Sequence, residues 1–522
     1  MRRVNMYKGL LLLLVALQTG AALAQRDGAK SAGHVEILNA DRWEFDKHVA
    51  TGAQRLLGHV RFRQENATMA CDSAYLYKND RVKAFGHVEL VQDDTLRITG
   101  DLLDYNGATR TARMTGQVRL TDPGTELSTD ALDYSVKTNT AKYAAGARIE
   151  SRRDGNILAS RKGVYDAAKR IFTFSDSVSI TGPNGLITGD SLRYATASGM
   201  AEFLGPTWIT QGDTRMYCER GSYHSPTGKG RFTRAGRIES KGQFLTGDSL
   251  HYDRGAEQGD GWGHVTLTDT ANGLMVRGQR GTHAQATGRS MMTGRAELVM
   301  AMGNDSLFLH ADTLYGMRDH TGGRRVLARR NVRFFKPDMQ GVCDTMAYAT
   351  ADSLVRLNGH PFLWSMQDQL SGDTMRIQLA HGRAQTLLVL GNAFLISQAD
   401  SSRFNQVSGS TMTGHFSGDE LKQLITEGNA RTVYFTREKK DSVERTTGLN
   451  RVDCSGITVG LDSGKVSTVA FTTQPSATLY PLANAPVEEQ QLEGFRWNAA
   501  ARPTDREDIF RVPEPAPADR AP

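Results

Sequence analysis

Apolar and polar residues alternate along most of this chain, and the alternation returns with a fixed period. Ile98-Thr99-Gly100-Asp101-Leu102-Leu103-Asp104-Tyr105 comes back as Ile187-Thr188-Gly189-Asp190-Ser191-Leu192-Arg193-Tyr194, and again as Leu245-Thr246-Gly247-Asp248-Ser249-Leu250-His251-Tyr252. Looser copies surround Asp72, Asp130, Asp344 and Asp373. With the Asp as marker, the series runs 72, 101, 130, 161, 190, 219, 248, 279, 312, 344, 373, with Arg161, Glu219 and Gln279 at three of the places. Each copy has a second half of the form Gly86-His87-Val88-Glu89-Leu90, seen also at Gly116 to Leu120 and Gly263 to Leu267.

Period two marks a strand with one buried face. The Gly, Asn and Asp between the runs are turn residues. A repeat this regular means a stack of supersecondary units that bury their apolar faces on one another. The expected fold class is therefore all-β and elongated, built from stacked repeats of about 30 residues. One repeat is expected to hold two or three short strands of about five to seven residues. The alternating residues Val60, Phe62, Val88, Leu90, Val118, Leu120, Val265 and Leu267 are expected to face the interior.

Residues 1–24 read as a secretory signal, with Arg2, Arg3 and Lys8 before the apolar run Leu10 to Leu17 and Ala22-Leu23-Ala24 at the cleavage site. The repeats then divide into 25–200 and 201–385, with degraded copies over 386–474. From Pro475 the alternation stops, and Pro503, Pro513, Pro515, Pro517 and Pro522 mark 475–522 as a disordered tail.

The formal charge is +6, and removing Arg2, Arg3 and Lys8 leaves 6 − 3 = +3, too mild to imply a nucleic-acid partner. The pairs Arg152-Arg153 and Arg324-Arg325 read first as solvated surface; contact with phosphate is the sharper alternative. No apolar span and no series of outward aliphatic strands with aromatic girdles is present, so an integral membrane protein is not expected. Cys71, Cys218 and Cys343 hold the same repeat position, several rungs apart. Strands stack at about 4.8 Å, which puts Cys71 and Cys218 on the order of 20 Å apart, against the roughly 7 Å a disulfide allows. Free, buried thiols are expected.

Some motifs suggest chemistry. Gly189-Asp190-Ser191-Leu192 and Gly247-Asp248-Ser249-Leu250 spell the signature of one class of serine esterases. A nucleophile is a single residue beside a base, whereas this serine recurs and becomes Leu102, Ala131 or Thr345 in other copies, so it reads as a strand position. The recurrent Asp reads as a turn former rather than a calcium ladder, since Arg161 and Gln279 interrupt it. His59, His87, His264 and His360 read as polar residues at strand entrances, with no acidic third ligand to make a metal site. No phosphate loop or dinucleotide fingerprint appears, and no cofactor is expected.

The Gly-x-Val-x-Leu and Thr-Gly-Asp-x-Leu-x-Tyr lines, with Ala311-Asp312-Thr313-Leu314-Tyr315, resemble the organic-solvent-tolerance (OstA) family, over roughly residues 35 to 470. That family includes the LptA-type periplasmic lipopolysaccharide-transport proteins. The resemblance implies a β-jellyroll of two facing antiparallel sheets around a slot for acyl chains. It implies a periplasmic, non-enzymatic protein of outer-membrane assembly that binds lipopolysaccharide through its lipid A. Other envelope transport proteins would join it by edge-strand addition. The eight interior residues above are then the candidate lipid contacts. A structural β-solenoid or interaction scaffold without a lipid ligand is the rival reading.

Overall fold

The computed structural model describes residues 33–45, 52–302, 305–318, 323–380, 382–418, 420–440, 443–462 and 465–512. The expected signal segment, residues 1–24, lies outside these. The described chain is all-β: a run of antiparallel strands in which each long strand pairs with the strands before and after it, while strands split at their corner, such as Thr140–Tyr143 and Ala147–Ser151, pair half by half with the neighbouring rungs. Among the described residues there is no α-helix, only short 3-10 turns.

The repeat unit differs from the expectation of short separate strands. The early strands Ala53–Gln64, Ala67–Tyr77, Arg81–Gln92, Leu96–Asn106, Thr111–Asp122 and Thr125–Ser135 are 11 or 12 residues long. Each is bent in the middle. Between Arg81–Gln92 and Leu96–Asn106, for example, Phe85 faces Leu102 and Val88 faces Gly100, so Gly86 and His87 together oppose the single Asp101. Two residues against one is a β-bulge, which kinks and twists the ladder. One repeat is thus a hairpin of two bent strands, and its halves are the five-residue segments that the alternation picks out.

The bend folds each strand's first half over the second half of its neighbours, so that two sheets face each other. Hydrogen bonds that bridge the two layers fix this: the Gln64 side chain donates to the Gly107 carbonyl (3.1 Å) and the Gln92 side chain to the Val136 carbonyl (3.1 Å). One continuous core fills the space from Val35 to Leu424. Aromatic rings thicken it in the middle, where Phe172 stacks on Tyr165 at 4.1 Å and on Phe174 at 5.3 Å between centroids.

Pairing runs without a break through the boundaries expected near residues 200 and 385: Gly185–Ala195 pairs with Met200–Phe203, and Thr374–Ala380 with Arg383–Gln398. The stretch after 386 is not a fading of the fold. Its strands lengthen to 16, 14, 21 and 20 residues, which is why the sequence period stretches there.

The Pro-rich segment also differs from its composition. Ser476–Pro481 is a strand paired with Val443–Asp462, and the chain from Leu482 to Val512 runs back along the stack as a strap on the outside of one sheet. Gln406 donates to the Gln490 carbonyl (2.9 Å) and accepts from the Leu492 N–H (2.8 Å). Gln369 donates to the Arg496 carbonyl (2.7 Å) and accepts from the Asn498 N–H (2.7 Å). Arg333 donates to the carbonyls of Ala501 (2.9 Å) and Asp508 (3.2 Å), and Arg506 donates twice to Glu297 (2.8 and 3.0 Å). Leu492 completes a second apolar cluster with Phe394, Ile396, Val433, Phe435 and Leu449. Residues 513–522 lie outside the described residues.

Candidate functional site

The corner of each bent strand is built from the residues that recur most in the sequence. Gly86 and His87 have φ of +72° and +43°, and Gly116 and Gln117 have +83° and +45°. Glycine enters this left-handed region at no cost. It also makes room: a Cβ on Gly116 would sit 2.3 Å from Asp101 Oδ2, and one on Gly86 2.3 Å from Asp72 Oδ2. The marker Asp therefore lies over the corner glycine of the next strand and takes a hydrogen bond from the residue after it. His59 Nδ1 donates to Asp41 (2.7 Å), His87 to Asp72 (2.8 Å) and His264 to Asp248 (2.8 Å). Asn331 and Asn392 do the same to Asp312 (3.0 Å) and Asp373 (3.1 Å). The recurrent Asp and His are thus partners in a corner clasp, on the exposed apex of the folded sheet. Asp72, first through its hydrogen bond and then through its charge, raises the His87 pKa.

The opposite side of the stack, where the hairpin turns of the two layers meet, is the mouth. It is held shut by tyrosines four residues after the marker. The Tyr105 hydroxyl donates to Gln64, that of Tyr134 to Gln92 Oε1 (2.6 Å), that of Tyr165 to Asp122 and that of Tyr194 to Asp154. Asn156 adds a donor to Tyr194 (3.0 Å) and another to Ser225 (3.0 Å). These groups are buried, and burial pushes the Tyr105 phenol up to about 12 and those of Tyr134, Tyr165 and Tyr194 still higher. A buried hydroxyl with a partner is a latch; without one it is a cost.

The ladder continues through Tyr223 and Tyr252 and then breaks. At the next two places, four residues after Gln279 and Asp312, stand His283 and Gly316. A small cavity of about 80 Å³ opens there. Its walls are Leu267, Val276, Met292, Leu298, Leu314 and Val326. Its rim carries Gln243, Asp269, His283, Arg318 and Arg324. His283 is 5% exposed, and neither ring nitrogen has a hydrogen-bond partner. Burial first, and then Arg318, lower its pKa, so it is a neutral imidazole near neutrality. Burial would raise Asp269, but hydrogen bonds from Asn272, Gln243 and Arg324 outweigh it and keep the carboxylate ionised.

All eight interior residues expected from the alternation face inward and are buried. Val60, Phe62, Val88, Leu90, Val118, Leu120 and Val265 pack in the closed core, and only Leu267 lines the cavity. The sequence reading missed the latches and their interruption. The signal was present: aligned on the marker, the fourth residue on reads Tyr105, Tyr134, Tyr165, Tyr194, Tyr223, Tyr252, His283, Gly316.

The other motifs fall into structural places. Ser191 and Ser249 stand in ladders opposite Ser175 and Trp262. All four cysteines are free; Cys71, Cys218 and Cys343 are buried and Cys454 half-buried. Among the described residues no three His, Cys, Asp or Glu side chains gather as metal ligands, and no helix is long and apolar enough to cross a membrane.

No curated protein matches this chain. Among solved structures, it is similar at 8% identity to the extracellular domain of a one-component system from B. thetaiotaomicron, with 88% of this chain and 98% of that one covered and a TM-score of 0.09. It is similar at 8% identity to PorZ, a surface component of the type-IX secretion system of Porphyromonas gingivalis, with 80% of each chain covered and a TM-score of 0.10. At such scores neither structure informs the fold or the site. The family model of OstA-like proteins matches residues 32–190. That segment, which holds the first corner clasps and the Tyr105, Tyr134 and Tyr165 latches, is an OstA-like domain.

Proposed function

We propose that the protein is an exported, non-enzymatic lipid carrier of the periplasm, associated with outer-membrane assembly, and that it takes acyl chains of lipopolysaccharide between its two sheets. The OstA-like match supports the setting. The observation that carries the reading is the apolar cavity at the break in the tyrosine ladder, open on the mouth side and rimmed by arginines. An aliphatic lining under a polar, charged rim suits an apolar ligand with a polar end. Each methylene moved there from water contributes about 0.8 kcal/mol. The first contacts are Leu267, Val276, Met292, Leu298 and Leu314. Val60, Phe62, Val88, Leu90, Val118, Leu120 and Val265 face the same interior, and meet a chain where the latches open and the sheets part. Partner envelope proteins add strands at the edges. Arg42–Phe45, with Trp43 and Phe45 each 59% exposed, pairs on one side only among the described residues.

The close packing of those seven residues favours a second reading for the N-terminal part, a ligand-free envelope scaffold. Lipid extraction decides between them. The protein is purified from a periplasm containing lipopolysaccharide and its extract is searched for lipid A by mass spectrometry, beside an unrelated β-repeat protein. Stoichiometric lipid A supports the carrier. A lipid-free protein that takes up no added lipopolysaccharide leaves the scaffold.

A further inference from the structure

The break in the ladder has a chemistry of its own. Six successive places carry a tyrosine, and the next carries a histidine whose two ring nitrogens are buried and unpartnered. A buried polar group without a partner is costly, and a cavity beside it shows where a partner belongs. A neutral imidazole offers one N–H donor. Two guanidinium groups stand on the same rim. Arg324 is committed on one side to Asp269. Arg318 is exposed, lies over the Gly288 turn and makes no ion pair with a described carboxylate. Below them the lining is aliphatic. Donors and positive charge at the opening, with a hydrocarbon floor, complement an amphiphile with an anionic head.

We propose that His283, Arg318 and Arg324 hold the anionic headgroup of an amphiphile, one acyl tail of which lies in the cavity between Val276, Met292 and Leu314. This rests on the reading that the interior takes acyl chains, and adds a lateral port with a headgroup site in the middle of the stack. Gln243 stands forty residues before His283, close to the separations of 41, 42 and 43 that join Tyr105, Tyr134 and Tyr165 to their acceptors. A tyrosine at 283 would therefore meet Gln243 and continue the ladder. Gly316 leaves the second place empty: a Cβ there would approach only Ser290, at 2.6 Å from its hydroxyl oxygen.

The test is calorimetric binding of dodecyl phosphate, dodecanol and inorganic phosphate to the full mature chain, its Arg318→Gln variant and its His283→Tyr variant. Loss of one charged hydrogen bond corresponds to roughly tenfold or more in affinity. Arg318→Gln should weaken dodecyl phosphate by about that factor and leave dodecanol unchanged; His283→Tyr should weaken both. Arg318 is exposed and makes no ion pair among the described residues, so its variant should fold. Equal binding of dodecanol and dodecyl phosphate, with no effect of Arg318→Gln, overturns the headgroup site while leaving the acyl-chain reading intact. Binding of inorganic phosphate as tight as that of dodecyl phosphate makes the site one for free phosphate and overturns the proposal. If neither amphiphile binds the unaltered protein, the acyl-chain reading falls as well.

Discussion

Removing one hydroxyl from the mouth should have opposite consequences at two rungs of the ladder. The Tyr134 hydroxyl donates to Gln92 Oε1 at 2.6 Å, and Gln92 is buried, with its amide group donating to the Val136 carbonyl. In Tyr134→Phe that oxygen keeps its burial and loses its donor, which costs about 1–3 kcal/mol. The Tyr223 hydroxyl is equally buried but has no hydrogen-bond partner. Tyr223→Phe should therefore be neutral or stabilising, by up to about 1 kcal/mol. In a stack each rung senses mainly its neighbours, so the loss is local and a single melting temperature would blur it. Hydrogen exchange read by mass spectrometry resolves it. Tyr134→Phe should speed exchange across Arg81–Gln92 and Thr125–Ser135 by about 5- to 150-fold. Tyr223→Phe should leave exchange across Thr214–Cys218 and Arg220–His224 unchanged or slow it by up to about 5-fold. Equal effects of the two variants would refute the claim that hydrogen bonds latch the mouth.

Other outcomes follow from the same geometry. Burial pushes the Cys71 thiol up to about 11 and those of Cys218 and Cys343 to about 12, so below pH 9 they stay protonated as well as covered. A thiol reagent should modify Cys454 alone in the native protein and all four cysteines after denaturation; rapid labelling of Cys218 would show that the core opens. Gly116→Ala forces a Cβ into a left-handed corner against Asp101, at about 1–2 kcal/mol for the backbone alone. Its exchange penalty over Thr111–Asp122 should shrink when Asp101→Ala is added, since the two share one space. Arg506→Ala strips the buried Glu297 of two hydrogen bonds; with Arg506 partly exposed, about 1–3 kcal/mol is expected, read as faster proteolysis of the strap after Pro481.

The bent-strand repeat was legible because its determinants are local. The corner needs glycine, a short polar residue and an Asp one strand away, and these recur at steps of 29 to 33 residues. The alternation also named the inward face, down to Val88 and Leu120. It could not say whether that face was slot or packed core, because both put aliphatic side chains on the same side. Tyr134 to Gln92 spans 42 residues and joins two polar side chains that look like surface positions when each is read alone. The strap was hidden for the same reason. Its order comes from Arg333, Gln369 and Gln406, which lie 84 to 175 residues from the segments they hold. Prolines there fit a chain that lies on a sheet without joining its ladder.

Lipid should enter where the tyrosine ladder breaks. A photo-crosslinking amino acid in place of Met292, on the cavity wall, tests it most directly, with Leu120, in the closed core, as the comparison. Irradiation in intact envelopes followed by mass spectrometry should give lipid adducts at position 292 at several times the yield at 120. Adducts at neither position, in a protein shown to be folded and exported, would contradict it.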